Sequence, residues 1–338
     1  MAILVTGGAG YIGSHTVLAL KLRGDQVVIL DNLCNASREV INRIEKLAGG
    51  GKVVFVEGDI RNRACLRDLF SSNDISAVIH FAALKAVGES TRIPLVYYDN
   101  NVTGTVVLLE EMNRSGVYNF IFSSSATVYG ANAPVPYVET TPICAPSSPY
   151  GTSKMMVEFV MREFAFAEPK FKAIALRYFN PVGANESGEM GEDPVGIPNN
   201  LLPCIAQVAI GRLPYLRVFG NDYPTVDGTC QRDYIHVVDL AEGHLKALDY
   251  LSKVKGYKVY NLGGGKCYSV LEMIKAFEIA SGKYIPYKIK PRRNGDLATF
   301  WADTRLAEKD LDWRVSRGIT EMMRDTWNWY LKNPNGFR

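Results

Sequence analysis

The sequence predicts an α/β protein: a doubly wound parallel sheet followed by a smaller C-terminal α/β lobe. Three observations predict it. Apolar runs of four or five residues alternate with helix-length segments through the first 180 residues, the rhythm of repeated strand–helix–strand units. The runs are nearly continuous in hydrophobicity, as strands covered on both faces must be. A glycine-rich turn, Gly7-Gly8-Ala9-Gly10-Tyr11-Ile12-Gly13, stands between the first run and the first helical segment.

Ile3-Leu4-Val5 reads as the first strand and 12–23 as the first helix. Val27-Val28-Ile29-Leu30 and a helix near 38–48 follow, then Val53-Val54-Phe55-Val56 and a helix near 62–71. Ala77-Val78-Ile79-His80-Phe81 precedes a helical stretch at 93–115; Asn119-Phe120-Ile121-Phe122 precedes a helix at 150–167; Ile174-Ala175-Leu176-Arg177-Tyr178 closes the series. Past about residue 180 the rhythm breaks into a Pro/Gly/Asn-rich stretch, from Asn180-Pro181-Val182-Gly183 to Pro198-Asn199-Asn200. Helices are then expected near 199–210, 238–251, 269–281 and 318–332. The division falls at 1–180 for a nucleotide-binding domain and 181–338 for a substrate lobe, with strand 216–219 or the segment 233–237 able to return to the main sheet.

Of the 338 residues, 47% are apolar and 22% charged, ordinary values for a globular chain. A net charge of +3, with no Lys/Arg block or aromatic-basic stripe, argues against nucleic acid. The six cysteines, at 34, 65, 144, 204, 230 and 267, show neither a Cys-x-x-Cys pair nor histidine at metal spacing. They read as free thiols in a reducing compartment, without a metal. The N-terminus runs straight into Ala2-Ile3-Leu4-Val5-Thr6-Gly7, and no apolar run reaches membrane-span length. A cytoplasmic protein with no membrane contact is expected.

Glycines at 7, 10 and 13 permit a tight turn, let backbone approach a pyrophosphate and let helix pack close to strand, while the helix N-terminus faces the negative charge. This is a dinucleotide-binding (Rossmann) signature. Asp31 ends the second strand, where a carboxylate accepts hydrogen bonds from both adenosine ribose hydroxyls and repels a 2′-phosphate; NAD is favoured over NADP. A turn aspartate, followed as it is by Asn32, is the competing reading. Asp59, in Glu57-Gly58-Asp59-Ile60, is placed either to bond an adenine ring or to cap a helix.

Tyr150-Gly151-Thr152-Ser153-Lys154 puts a phenol and an ammonium on one helix face, where the cation favours phenolate and makes tyrosine a usable base. The spacing alone says little, because a chain with 18 tyrosines is expected to hold roughly one such pair by chance. A second occurs at Tyr284 and Lys288, in Tyr284-Ile285-Pro286-Tyr287-Lys288-Ile289, where the proline and the alternation indicate an edge strand. The first pair follows the glycine-rich turn and a serine run and opens an amphipathic stretch, and it is the one read as chemical.

The combination Gly-x-x-Gly-x-x-Gly with Tyr-x-x-x-Lys resembles the short-chain dehydrogenase/reductase superfamily, in its extended form. Within it the chain is similar over nearly its whole length to the bacterial nucleotide-sugar 4-epimerases. The matching segments are Thr6-Gly7-Gly8-Ala9-Gly10-Tyr11-Ile12-Gly13-Ser14-His15, Asp31-Asn32-Leu33-Cys34-Asn35, Leu84-Lys85-Ala86-Val87-Gly88-Glu89-Ser90, Ser123-Ser124-Ser125-Ala126-Thr127-Val128-Tyr129-Gly130, Arg177-Tyr178-Phe179-Asn180-Pro181-Val182-Gly183-Ala184 and Arg232-Asp233-Tyr234-Ile235-His236-Val237-Val238-Asp239-Leu240. The resemblance implies interconversion of UDP-galactose and UDP-glucose through a 4-keto sugar and transient reduction of bound NAD. Tyr150 would take the proton of the 4-hydroxyl. A phenol must come down by about 3 units to act at neutral pH, about 4 kcal/mol of differential stabilisation, and Lys154 with the positive nicotinamide are the expected sources.

The resemblance makes Ser125 the hydrogen-bonding partner of the reacting oxygen, a choice among three serines that chemistry alone leaves open. It places Gly7, Gly10, Tyr11, Ile12, Gly13, Asp31, Asn32, Cys34, Asn35, Asp59, Ile60, Phe81, Ala82, Lys85, Asn100 and Phe179 at the cofactor, with Tyr150 and Lys154. For the nucleotide sugar it points to Tyr178, Phe179, Asn180, Asn200, Leu201, Arg217, Val218, Phe219, Arg232, Arg293, Asp296 and Phe300, beside Ser125 and Tyr150. Two arginines can grip a diphosphate and an aromatic can cover uracil; Arg232 beside Asp233 is otherwise readable as a structural ion pair. Two positions depart from the family. Phe300 stands where relatives commonly carry Tyr or a smaller residue, and its ring should exclude an N-acetyl group. Asn294 replaces a frequent acid, with little effect expected. A 4,6-dehydratase would need an acid pair where Ala126 and Thr127 stand; another NAD-dependent nucleotide-sugar epimerase is the other rival, and an NAD-binding module without catalysis is disfavoured by the intact Ser/Tyr/Lys set. A homodimer is implied through helices near 93–115 and 150–167, with Val107, Leu108, Val157 and Val160 as interface or core.

Overall fold

The computed structural model describes residues 1–337 except 131–132, 144–145, 195, 197, 199 and 294; Asn294 and Cys144 therefore lie outside the described residues. In chain order the elements are β1 (Ala2–Thr6), α1 (Tyr11–Arg23), β2 (Val27–Asp31), α2 (Glu39–Leu47), β3 (Val54–Glu57), α3 (Arg63–Ser72), β4 (Ile75–His80), α4 (Val87–Ser90), α5 (Pro94–Tyr98), α6 (Gly104–Arg114), β5 (Asn119–Ser125), α7 (Pro149–Ala167), β6 (Lys172–Tyr178) and β7 (Asn180–Val182). The second part holds α8 (Leu201–Ala209), β8 (Leu216–Phe219), β9 (Gln231–His236), α9 (Val237–Tyr250), β10 (Gly256–Leu262), β11 (Cys267–Ser269), α10 (Val270–Ser281), β12 (Tyr287–Lys290), β13 (Thr299–Phe300), α11 (Arg305–Leu311) and α12 (Ile319–Lys332).

Seven strands form one sheet in the order β10-β6-β5-β4-β1-β2-β3, all pairs parallel. The apolar runs explain it. β2 is buried along its whole length and β5 at every residue after Asn119, which only helices on both faces can achieve. The chain leaves β1 toward β2 on one side and reaches β4 on the other, so a crevice opens at the carboxyl ends of β1 and β4, where doubly wound sheets bind ligands. The second part contributes a sheet of β11, β9 and β13 with β7 paired to β9, and a separate β8–β12 pair.

One expectation needs correction. The segment that returns to the main sheet is 256–262, as β10, rather than 216–219 or 233–237; β10 follows α9, which packs on α1, so 237–262 adds a helix and an edge strand to the main layers. The stretch 93–115 is helical from Pro94 to Arg114 as expected, and Asp99–Thr103 winds as a π turn between α5 and α6, a feature common at functional sites. There Asn101 is buried, its amide donating to the carbonyl of Leu84 and to Ser153 Oγ while its oxygen accepts from the Leu84 amide. Val107, Leu108 and Val157 are core, packed under the sheet. The second Tyr–Lys pair is structural, as expected: Tyr284 is exposed, and Lys288, on β12 of the two-stranded β8–β12 pair, lies over Tyr215.

Candidate active site

The site starts at the glycine turn. Gly7 has a φ of 70°, and a Cβ there would come within 2.6 Å of the Ala82 amide nitrogen; one on Gly13 would come within 2.2 Å of the Gly7 carbonyl oxygen. Only hydrogen fits at either position. Gly10 caps α1 in extended conformation with no side-chain cap, so the first amides of α1 remain available for an anion. This cradle fits a dinucleotide.

Asp31 closes the cradle at the end of β2. Its carboxylate accepts from the Ala9 amide at 3.0 Å and the Leu33 amide at 2.9 Å, and burial raises its pKa against those amides. The turn-aspartate reading thus describes real contacts, and the same carboxylate faces the cradle. Asn32 donates to Asp59 at 3.1 Å, bringing the ends of β2 and β3 together. Cys34 and Asn35 are exposed beside them and Ile60 is buried. Asp59 does not cap α3, because Asn62 does, accepting from the Cys65 amide. Arg61 hydrogen-bonds Asp59 and holds its carboxyl down to about 2.

Tyr150 lies in the first turn of α7, behind Pro149 and the cap Ser148, whose hydroxyl accepts from the Gly151 amide at 3.2 Å. One turn later Lys154 is buried; its Nζ donates to the Ser123 carbonyl at 2.6 Å and sits 4.7 Å from the centroid of the Phe122 ring and 6.0 Å from that of Tyr150. Ser125 ends β5, and its Oγ accepts from Thr127 Oγ1 at 2.9 Å and the Thr127 amide at 3.3 Å. With both lone pairs so engaged, its one proton is left to donate elsewhere.

The expectation of a lowered phenol is not met by these side chains alone. Burial drives the Tyr150 pKa up, and the Ser125 hydroxyl and the Lys85 charge pull it back only in part. Burial brings Lys154 down to about 7, with Glu158 opposing, so near neutrality only part of the population is charged. Lys85, half-exposed on the loop after β4, pairs with Glu192 at 2.9 Å.

On the far side of the cleft, Phe300 is held by Tyr137 and Phe179, at centroid distances of 5.0 and 5.1 Å, and these rings pack with Ala126. Arg232 and Arg293 converge on Asp296: Arg293 Nε donates at 2.7 Å and Arg232 Nη2 at 3.4 Å. Arg293 lies over Phe219 at 5.0 Å and Arg217 flanks the same ring at 5.9 Å. Asp233 does not pair with Arg232; it is buried and accepts from the amides of Gly264, Gly265 and Ala302, with burial pushing it up to about 7. Asn180 donates to the Asp233 carbonyl at 2.7 Å. Asn200 donates to Glu192 at 3.3 Å, with Leu201 opening α8 next to it.

Two predicted substrate contacts have their side chains engaged by the protein itself. Tyr178, one position before Phe179, points to the opposite side of the chain; its hydroxyl donates to His244 Nε2, whose ring also carries Phe81 at 4.7 Å. Alternation along the strand end separates the two neighbours. Val218 is buried in the core, so its side chain faces away from the cleft. Asn100 spends its amide on Asn101. Glu192, His244 and Tyr137 carry no local motif, whereas Thr127 lies in the matched serine segment. Glu158 had a signal, since 150, 154 and 158 recur on one helix face.

A glycine-cradled nucleotide fold with serine, tyrosine and lysine at the end of β5 and the start of α7 defines a member of the extended short-chain dehydrogenase/reductases. A family model described as GDP-mannose 4,6 dehydratase matches residues 4–326. The UDP-glucose 4-epimerase of Erwinia amylovora is 73% identical over 336 residues, 99% of each chain, and that of Haemophilus influenzae is 58% identical over the full length of both. The solved UDP-glucose 4-epimerase of Bifidobacterium longum, in complex with NAD+ and UDP, superimposes with a TM-score of 0.96 at 50% identity, covering 99% of this chain and 100% of that one. The chain belongs to the UDP-glucose 4-epimerase family, a family of isomerases.

Proposed function

We propose that this chain interconverts UDP-galactose and UDP-glucose by inverting C4 of the hexose, with Tyr150 as the base and then the acid within one turnover. The observation that carries the reading is the cluster of Ser125, Tyr150 and Lys154 next to Ala126 and Thr127, where a dehydratase would need an acid pair. Thr127 is spent on Ser125, so no group there can remove the proton an elimination requires. Reversible oxidation at C4 is the chemistry left to the site.

When bound, NAD would supply the hydride acceptor and donor. The chain's part is to hold it: the free amides at the start of α1 would take the pyrophosphate, Asp31 the adenosine ribose, and Asp59 with Asn32 the adenine. Ser125 donates its one available proton toward the reacting oxygen, so Tyr150 can accept the 4-hydroxyl proton and return it to the other face. Lys85 and the fraction of Lys154 that is charged favour phenolate. Arg232 and Arg293, oriented by Asp296, grip the diphosphate bidentately, and Phe219 covers the uracil. The sugar itself is held mostly by rings, which lets the keto form turn over while the nucleotide stays anchored.

The UDP-sugar lobe comprises 181–338 apart from 237–262, which packs on the main sheet. A second copy is proposed to cover the α5–α7 face, where Leu95, Val96, Met156 and Phe166 are exposed. No helix among the described residues is long and apolar enough to cross a membrane, and the five described cysteines are free thiols, in keeping with the cytoplasm. The test incubates the purified protein with UDP-galactose, adds no cofactor and follows UDP-glucose by NMR. Conversion to a mixture of both sugars is expected; no conversion by protein with intact bound NAD overturns the reading.

A further inference from the structure

The three serines that end β5 are each keyed to a different turn of α7. Ser125 meets Tyr150, the carbonyl of Ser123 takes the Lys154 ammonium at 2.6 Å, and the Ser124 hydroxyl donates to Glu158 Oε1 at 2.5 Å. Residues 150, 154 and 158 lie four apart, on one helix face. Strand and helix are thus stitched at three successive points, and only two of them belong to the catalytic set.

The third point is built around a carboxylate with every side taken. Glu158 Oε1 also accepts from Arg177 Nε at 3.0 Å, and Oε2 accepts from Arg177 Nη2 at 2.6 Å and from the Tyr257 hydroxyl at 2.9 Å. Glu158 and Arg177 are both almost fully buried, and Arg177 lies over the Tyr129 ring at 4.7 Å. Ser124 and Arg177 are register partners across β5 and β6, and Tyr257 comes from β10. One carboxylate on the catalytic helix therefore holds the ends of two strands and the start of a third. Arg177 immediately precedes Tyr178, Phe179 and Asn180, and Ser124 immediately precedes Ser125.

A buried ion pair is a poor device for stability, since taking two charges from water offsets most of their attraction, and apolar residues of the same volume often do as well. It is a good device for fixing one arrangement among several, and catalysis is sensitive to displacements of about 1 Å in groups that must meet.

We propose that Ser124 and Glu158 are positioning residues of the epimerase, the carboxylate fixing where the end of β5 lies along α7 and so how Ser125 meets Tyr150. This rests on the function proposed above. The loss should appear in kcat, because neither residue touches the nucleotide that dominates substrate binding.

Glu158→Gln removes a charge that Arg177 needs and can fail to fold, so Ser124→Ala is the deciding variant; it leaves the Arg177–Glu158 pair in place. With UDP-galactose as substrate, Ser124→Ala is expected to lower kcat about tenfold with KM within twofold of the unmodified enzyme and bound NAD undiminished. A residue that only stabilises the fold would lower the melting temperature and leave kcat at 25 °C unchanged. A kcat within twofold of the unmodified enzyme, or a loss carried by KM or by NAD content, overturns the proposal. The unmodified protein in the same assay separates the two failures: if it does not turn over, the epimerase reading falls; if it does and Ser124→Ala matches it, only the positioning role falls.

Discussion

Tyr150, proposed above as the base, has protein surroundings that oppose its ionisation. Burial favours the neutral phenol, and the side chains that favour phenolate, Ser125 and Lys85, do so incompletely. That imbalance suits a group that must both accept and return a proton, because a phenolate too stable would not give it back. Tyr150→Phe removes the hydroxyl and keeps the ring, so turnover should fall by about 10³-fold, within the usual span for a lost acid/base group. UDP affinity, measured by calorimetry, should stay within twofold; a large loss of affinity would make Tyr150 a binding residue instead. Phe300 raises a second question at this scale. Its ring is wedged between Tyr137 and Phe179 and cannot swing away without disturbing both. UDP-N-acetylgalactosamine should therefore be turned over at least tenfold less efficiently than UDP-galactose, and Phe300→Ala should narrow the gap. Comparable kcat/KM values for the two sugars in the unmodified protein contradict the gate.

Strands and helices were legible wherever burial leaves a local pattern. β1 to β6 follow from runs apolar on both faces, and the glycine turn from the one place where strand and helix must nearly touch. What could not be read was set by distant partners. β10 is half exposed at its start, Gly256-Tyr257-Lys258-Val259, and owes its strand to pairing with β6; the π turn depends on Asn101 reaching Leu84 and Ser153. In the site, Tyr150, Lys154 and Asp31 stood in motifs, whereas Glu192 and His244 act only through contacts made by folding. The glycine turn offers a test of the cradle as an element. A Cβ at Gly13 meets the Gly7 carbonyl and the Gly8 Cα, at 2.2 and 2.9 Å. These are backbone atoms that cannot step aside, so α1 must back away from β1. Gly13→Ala should leave a folded protein that purifies with well under half the usual NAD, measured after acid release. Full occupancy would show that α1 tolerates the shift.

Over the whole molecule, all four histidines are buried, and for three of them, His15, His80 and His244, burial sets how the fold answers acid. His15 contacts the Tyr11 carbonyl, His80 bridges Thr6 and Thr105, and His244 sits between the Leu240 carbonyl and Tyr178. Burial lowers them to about 4, about 3 and about 4, against about 6.5 in an unfolded chain. Their folded pKa values are depressed, so their contribution is fully present above pH 6.5 and is lost as pH falls toward 4, where the unfolded chain takes up protons the folded one refuses. Asp233 works the other way. Raised to about 7, it contributes most below the ordinary carboxylate range and loses that contribution as pH rises through 7. Asp31 and Glu139, whose carboxyls burial also raises, act in the same sense as Asp233, and against them the three histidines still leave the unfolded chain binding more protons near pH 5, so stability falls as pH falls. The melting temperature should therefore drop by several degrees between pH 7 and pH 5, in a scan of the holoprotein at constant ionic strength. A melting temperature flat across that range would mean that the histidines are hydrated or already charged in the folded state. All three lie beneath the cleft, behind Tyr11, Lys154 and Tyr178, so the same acid that unfolds the chain should first loosen the cradle, and loss of bound NAD should precede the main transition.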